Sequence, residues 1–421
     1  MTWEQRYELR RTVRTSLVLW SALALVAALV AAPAVRWLDR ETGWVIFGFS
    51  PEGARAILGV LVGSMLTFIV FVLSATLIVV QLASGQSTPR VIGLVLAVPG
   101  VKVALGVLTF AYTYTLSALA RVDDRVPDLH VTVAVFLNLA CILVFLLFVQ
   151  RLSTALRPAA LVQLVASHAR QVFEHVYPSP YDPQRPPPVH EKAVSGAPGE
   201  VAGFAERSGV VMAFGAPELV QLAERADAVI ELLPQVGDFL AAGDPLFRVA
   251  GGSVSPDALR GCVAIGPERT LEQDPRFVFR ILVDIASKAL SPAINDPTTA
   301  VQAVDQIQHL LLFLGRRHLD DGRVRDRQGN LRLVYGTPDW ADFVMLAVSE
   351  VRQFGADSLQ VNRRLRAMLQ HLLEVLPEDR RPPLREELAL LGSGVERTYQ
   401  DEEDRRRAKV ADYQGVGASE S

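Results

Sequence analysis

Long apolar runs and charged segments divide this chain into two halves. Apolar residues concentrate before about residue 156, and most of the charged residues follow it. A helix of about twenty residues crosses the hydrocarbon core of a bilayer, and four apolar runs reach that length. They occupy residues 16–35, 55–83, 101–120 and 131–152. The pattern predicts an α-helical integral membrane domain of four transmembrane helices over residues 1–156.

The second apolar run carries a line of polar residues along one side. At about 100° per residue, Thr67, Ser74 and Gln81 fall on the same face of a helix. A glutamine that contacts lipid gains no hydrogen bond, so we expect this face to meet protein or water. Two interpretations are open. Either the face lines a pore between several copies of the chain, or it packs against the other helices of a single bundle.

The same run ends in a polar junction between membrane and cytoplasm. The members of this junction are Ser84, Gln86, Ser87, Pro89 and Arg90. Because the apolar run is longer than a membrane span requires, we predict that the helix continues past the membrane surface and carries the junction with it.

Beyond residue 156 the pattern changes to that of an α+β cytoplasmic domain. Short apolar runs between Gly- and Asp-rich turns indicate strands, and apolar residues at three- and four-residue steps indicate helices. The predicted segments are an exit helix and Pro-rich linker at 157–193, a β-rich module at 194–266, a helical part at 267–398 and a charged, disordered tail at 399–421.

The clearest motif of the cytoplasmic half spans residues 284–300. Asp296 is a favourable helix N-cap and Pro297 suits the first helical position, so one interpretation is a well-capped junction between two helices. The other is a contact for a small ligand or another domain, because hydroxyl and amide groups gather beside a helix N-terminus. The motif residues are Asp284, Lys288, Ser291, Pro292, Asn295, Asp296, Pro297, Thr298 and Thr299.

Two motifs together resemble those of a known family. Residues 82–90 (LASGQSTPR) and 284–300 (DIASKALSPAINDPTTA) are similar to sequences of the bacterial predicted membrane protein family called domain of unknown function 2254. The resemblance runs from about residue 10 to about residue 395. It implies the membrane architecture rather than an activity. The chain departs from the family pattern at Ser87 or Thr88, where an aromatic residue is usual, and at Lys288, where Arg is usual.

The β-rich module carries a second resemblance. Its order of strand, short helix, strand and two Gly-Asp turns is similar to the barrel-sandwich hybrid of lipoyl and biotinyl carriers. A carrier needs an exposed lysine at its hairpin tip, and residues 200–250 contain no lysine. The resemblance therefore implies a rigid β-module without a covalently attached cofactor.

The distribution of charge predicts the orientation in the membrane. Nine Lys and Arg residues flank the spans on the N-terminal side of the membrane, and five flank them on the other side. The positive-inside rule then places both termini in the cytoplasm of a bacterial inner membrane. A net charge of −3 provides no attraction to nucleic acid. Only Cys141 and Cys262 are present, so we predict no disulfide framework.

Catalytic patterns are missing from the sequence. It contains no Walker glycine-rich loop, GxSxG, HExxH or CxxC, so we predict no enzymatic activity and no cofactor. His168 and His175 lie seven residues apart on a predicted helix, and we assign them to a solvated face rather than to a metal site.

The predicted function is that of a homo-oligomeric channel for an ion or small solute. Thr67, Ser74 and Gln81 would line its axis within membrane lipid, because rings of hydroxyl and amide groups can replace part of the hydration of an ion. The cytoplasmic domain would regulate the pore. The alternative is a membrane-anchored sensor or scaffold whose cytoplasmic domain binds a small ligand or a partner protein.

Overall fold

Contacts divide the protein into two compact units. The computed structural model describes residues 1–86, 99–123, 126–155, 157–184 and 199–416. Residues Arg11–Ala160 form one unit, here called the helical unit. Residues Met1–Arg10 together with Leu161–Ser421 form the other, here called the mixed unit. The first ten residues therefore fold with the segment that follows the apolar helices.

The helical unit is built from long apolar helices. Helix α1 (Trp3–Thr15) leads from the mixed unit into α2 (Leu17–Thr42), which is followed by α3 (Pro51–Gln86), α4 (Pro99–Leu119) and α5 (Asp128–Ala155). Within the described residues, four helices are long and apolar enough to cross a membrane. They are Leu17–Thr42, Pro51–Gln81, Gly100–Leu119 and Asp128–Leu152. The four apolar helices predicted from the sequence are thus confirmed.

The first of these helices is longer than its apolar run. Charged residues after residue 35 suggested an end there, but α2 continues to Thr42. It ends at Gly43, whose φ of 59° lies in the left-handed region that favours glycine. The backbone conformation at Gly43, and not the loss of hydrophobicity, sets the end of the helix.

Helix α4 is the centre of the helical unit. It packs against α2, α3 and α5. Alanines at the contact of α2 with α4, such as Ala28, Ala32 and Ala118, are fully or almost fully buried and allow the helices to approach closely. Larger side chains, such as Met65 and Leu108, fill the contact of α3 with α4.

The mixed unit combines two sheets with helices. Helix α6 (Pro158–Val176) enters it and is followed by β1 (Glu200–Phe204), β2 (Gly209–Phe214), α7 (Ala216–Ala226), β3 (Ala228–Leu232), β4 (Phe239–Leu240), β5 (Pro245–Gly251), α8 (Pro256–Arg260) and β6 (Val263–Gly266). The later elements are α9 (Pro275–Ala289), α10 (Pro297–Gly315), β7 (Arg323–Arg325), β8 (Leu331–Tyr335), α11 (Trp340–Phe354), α12 (Leu359–Val375), α13 (Arg381–Thr398) and α14 (Glu402–Ala408).

One sheet joins strands that the sequence assigned to different segments. The five-stranded sheet has the order β1-β5-β3-β8-β7, and the three-stranded sheet has the order β4-β2-β6. Strand β3 pairs in parallel with β8, where Ile230 lies opposite Leu333. The predicted β-rich module at 194–266 therefore shares its sheet with a strand of the predicted helical part at 267–398. The likeness of residues 200–250 to a barrel-sandwich hybrid stays a prediction.

Residues 399–416 differ from the predicted disordered tail, and residues 417–421 lie outside the described residues. Residues 402–408 form α14, and Asp412 is only 1% exposed. The N–H of Asp412 donates to the carbonyl oxygen of Arg363 (3.2 Å). Ion pairs between Lys409 and Glu396 and between Arg407 and Glu403 accompany this packing. Composition alone indicated a solvated tail, because the contacts of Lys409 with Glu396 and of Asp412 with Arg363 depend on neighbouring helices.

Candidate functional site

The polar face of α3 points away from the other helices. Leu58, Met65, Val72 and Val79 are buried at intervals of seven residues and form the packing stripe of this helix. Thr67, Ser74 and Gln81 each follow one of these residues by two positions. Two positions correspond to about 200° around a helix, so the polar face is opposite the packing stripe.

Exposure agrees with this geometry. The side chains of Thr67, Ser74 and Gln81 are all exposed, and Thr67 Oγ1 donates to the carbonyl oxygen of Gly63 (3.0 Å) in its own helix. Within the described residues, this face is therefore not part of the packed interior of the helical unit. The apolar residues of α3 did not predict which face of the helix packs against its neighbours, because a face that meets lipid and a face that meets protein are equally apolar.

The junction motif lies at the end of α3. Ser84 and Gln86 belong to the last turns of the helix, which the structure describes as far as Gln86. Ser87, Pro89 and Arg90 lie outside the described residues.

Polar side chains are buried on the inner side of the helical unit, and the sequence analysis did not select them. The hydroxyl of Tyr114 and Nδ1 of His130 are 2.8 Å apart, and Nδ2 of Asn138 donates to Thr115 Oγ1 (2.8 Å). Asp128 accepts hydrogen bonds from the N–H groups of three residues in the loop after α2 (Ile46, Phe47 and Phe49). A histidine and an asparagine within apolar runs were the available signal.

The motif at 284–300 forms the turn between α9 and α10. Asp296 caps α10, since its Oδ1 accepts from the Thr299 N–H (3.0 Å) and its Oδ2 from Thr299 Oγ1 (2.5 Å). Pro297 is the first residue of the helix. Asn295 has a φ of 48°, in the left-handed region that asparagine tolerates better than most residues. These local interactions support the interpretation as a capped junction.

The remaining motif residues differ in burial and in hydrogen-bond partners. Ser291 Oγ donates to the carbonyl oxygen of Lys288 (2.7 Å), while Asn295, Thr298 and Pro292 are exposed and Thr299 is buried. In α9, Asp284 accepts from Arg280 Nε (2.6 Å). Arg280 also binds both carboxylate oxygens of Glu350, and this interaction raises the pKa of Arg280 and lowers that of Glu350.

A cavity of about 460 Å³ lies within the mixed unit. Its walls come from the start of α1, the end of α6, the turn after β2, the turn after β3, the start of α9 and the turn after β8. Its aromatic lining residues are Trp3, Tyr177, Phe214 and Tyr335. Burial raises the pKa of Tyr177, and it raises the pKa of Tyr335 to about 12. No local pattern could have predicted this cavity, since its walls are far apart in the sequence.

Comparison with known proteins places the chain in a family. The family model described as predicted membrane protein (DUF2254) matches residues 14–371. Uncharacterized proteins of Mycobacterium tuberculosis and Mycobacterium bovis are each 29% identical over 379 residues, which cover 86% of this chain and 72% of theirs. No solved structure matches the chain significantly. The resemblance drawn from the two sequence motifs is thereby confirmed, and the chain belongs to the DUF2254 family of predicted membrane proteins.

Proposed function

We propose that this protein is a homo-oligomeric channel of the bacterial inner membrane. In this proposal α3 lines an axial pore for an ion or small polar solute, and the mixed unit regulates the pore. The observation that carries the proposal is the outward polar face of α3 at Thr67, Ser74 and Gln81. In an isolated copy Ser74 and Gln81 would meet hydrocarbon, which offers no hydrogen bonds, whereas the Thr67 hydroxyl already donates within its own helix.

The spacing of this face suits contact between copies of α3. A repeat of seven residues is the seam repeat of helices that cross at a small left-handed angle. Several copies of α3 around one axis would therefore bring Thr67, Ser74 and Gln81 into three successive polar rings. The apolar residues between the rings would form constrictions that dewet and gate the pore.

Two glycines on the exposed side of α3 support an intermolecular contact. A Cβ atom built on Gly59 or Gly63 meets no neighbouring atom within 4 Å, so packing within this copy does not require glycine. A glycine inside a helix costs about 0.5–1 kcal/mol relative to alanine. Close approach of a helix from another copy would explain both positions.

The proposed orientation places both termini in the cytoplasm. Four spans return the chain to the side on which it started. Residues 1–10 belong to the same compact unit as the residues after 160, which supports this arrangement. The excess of positive charge on that side indicates the cytoplasm.

A membrane-anchored sensor is the second candidate. It is favoured by the cavity in the mixed unit, whose volume suits a small ligand. In that function the α3 face would bind a partner helix, and the β-strands of 200–250 would act as a rigid module for assembly. Neither proposal includes a catalytic step.

Cysteine accessibility distinguishes a pore from a lipid-facing helix. Ser74 and Leu73 are adjacent and both exposed, but they point about 100° apart. We expect Ser74→Cys in reconstituted vesicles to react with a charged, water-soluble thiol reagent, and Leu73→Cys to remain unlabelled. The native Cys141 and Cys262 are both buried, so the unsubstituted protein supplies the background.

Flux and particle size complete the test. Ser74→Leu and Gln81→Leu should reduce the ion or solute flux of the vesicles, whereas Leu73→Ala should leave it unchanged. Single-particle images in detergent should show a ring with an axial opening. A monomer whose Ser74→Cys variant is as unreactive as Leu73→Cys would contradict the channel and leave the sensor.

A further inference from the structure

The cavity of the mixed unit presents hydroxyl groups that the protein itself leaves unused. Tyr177 is 1% exposed and Tyr335 is half-buried, and both line the cavity. Within the part of the chain that the structure describes, neither phenol hydroxyl forms a hydrogen bond. Neither hydroxyl belongs to the fully enclosed side-chain atoms that lack a partner, so both reach the space of the cavity. Phenylalanine would fill the same space without a polar group, so the two hydroxyls are available to a ligand that enters the cavity.

A carboxamide joins these hydroxyls at the cavity wall. Gln235 lies in the turn after β3, beside Gly336, where a Cβ atom would come within 2.6 Å of Gln235 Nε2. Gln273, by contrast, is already occupied, because its side chain binds both the N–H and the carbonyl oxygen of Phe214. Tyr177, Tyr335 and Gln235 therefore supply three uncharged groups that can each donate and accept a hydrogen bond.

Aromatic rings form the apolar part of the wall. The rings of Phe214 and Tyr335 have centroids 4.9 Å apart at an interplanar angle of 60°. Trp3 contributes its indole from α1, where it stacks on Tyr7. Planar ligands gain stacking energy on such surfaces.

Oppositely charged side chains lie beside the acidic groups of the lining. Glu218 pairs with Arg6 at 3.0 Å, and the carboxylate of Asp274 lies 3.7 Å from Arg269. Arg276 donates to the carbonyl oxygen of Val236 (3.1 Å), and its positive charge also acts on the Asp274 carboxyl. The lining of the cavity therefore carries no excess of either positive or negative charge. This balance disfavours both phosphate groups and organic cations as ligands.

We propose that this cavity binds an uncharged, planar heterocycle of nucleoside size. The base would stack on the aromatic wall, and Tyr177, Tyr335 and Gln235 would bind its polar edge. The volume of about 460 Å³ lies in the lower half of the range for small-molecule pockets, about 300–1,000 Å³. A lipid or a dinucleotide would exceed it.

Two segments that line the cavity lie close in sequence to the membrane helices. Trp3 belongs to α1, which leads into the first apolar helix, and Tyr177 directly follows α6, which succeeds the last one. A bound nucleoside would hold these two segments together within the mixed unit. Binding of a nucleoside to this cavity can be measured without any flux, so the test of this site does not depend on the proposed channel.

Titration with nucleosides tests the site. The full-length protein in detergent would be titrated with adenosine, guanosine, cytidine and uridine by calorimetry. We expect at least one of them to bind. Tyr335→Phe and Gln235→Leu should each weaken that binding roughly 3–10-fold, the factor that one neutral hydrogen bond provides. Tyr413→Phe removes an exposed hydroxyl outside the cavity and serves as the matched control.

Each other outcome overturns the proposal. Absence of binding by all four nucleosides removes the ligand class, and binding that neither variant weakens places the ligand elsewhere. A nucleoside monophosphate that binds more tightly than its nucleoside contradicts an uncharged ligand. Thermal unfolding shows whether the variants are folded: Tyr335→Phe should be at least as stable as the wild type, and a large loss of stability would reveal an internal partner for the hydroxyl.

Discussion

Replacement of Asp296 by alanine should destabilise the mixed unit by removing the cap of α10. The carboxylate accepts two hydrogen bonds from one residue, at 3.0 Å from the Thr299 N–H and at 2.5 Å from Thr299 Oγ1. Thr299 is only 9% exposed, so water cannot easily replace the lost acceptor. Asp296 thus stabilises both the first turn of the helix and a buried hydroxyl.

The expected magnitude follows from these two contacts. Loss of an N-cap side chain costs about 1 kcal/mol, and loss of the acceptor for a buried hydroxyl costs about 1 kcal/mol more, so Asp296→Ala should cost about 2 kcal/mol. For a unit of this size a change of 1 kcal/mol shifts the midpoint of thermal unfolding by about 2–4 °C. We therefore expect a decrease of about 4–8 °C.

Tryptophan fluorescence of the full-length protein in detergent can measure this shift. Trp340 is buried in the mixed unit, where its Nε1 donates to the carbonyl oxygen of Arg380 (2.7 Å). Asp296→Asn is the matched control, since asparagine is an equally good N-cap and should lower the midpoint by less than about 2 °C. An unchanged midpoint for Asp296→Ala, or equal losses for both variants, would refute the capping argument and return the motif to the ligand interpretation.

Two further predictions concern Asn295 and Asp274. Asn295→Ala should lower the free energy of unfolding by about 1 kcal/mol, because the φ of 48° at this position is unfavourable for alanine. Asn295→Gly should be as stable as the wild type. Equal stability of all three proteins in thermal unfolding would contradict this reasoning. Burial raises the pKa of the Asp274 carboxyl in the folded state, so its contribution to stability is complete below its unfolded pKa of about 3.9 and decreases as the pH rises. Asp274→Asn keeps an acceptor for the Phe277 N–H (3.0 Å). The stability of this variant should exceed that of the wild type by an amount that grows toward neutral pH. Parallel profiles of the thermal-unfolding midpoint against pH for the two proteins would refute the raised pKa of Asp274.

Local chemistry made part of the candidate sites predictable. Asp296 and Pro297 identified the start of α10 because a cap depends only on residues within one helical turn. The length of the second apolar run likewise predicted a long helix, which the structure describes from Pro51 to Gln86. The turn at Gly43 and the parallel pairing of β3 with β8 could not be predicted in this way. The first depends on a single backbone conformation, and the second joins strands about one hundred residues apart.

The sequence by itself determined the four apolar helices and the helix junction at 284–300, because the thickness of hydrocarbon and the geometry of one helical turn constrain residues that are close along the chain. Only the tertiary structure decided that Thr67, Ser74 and Gln81 face away from the bundle. Lipid and protein core favour the same apolar side chains, so the pattern of α3 does not reveal which of its faces is packed. Tertiary structure also brought Trp3, Tyr177 and Tyr335 to one cavity, since contacts between such distant residues arise only when the two sheets and their helices pack together.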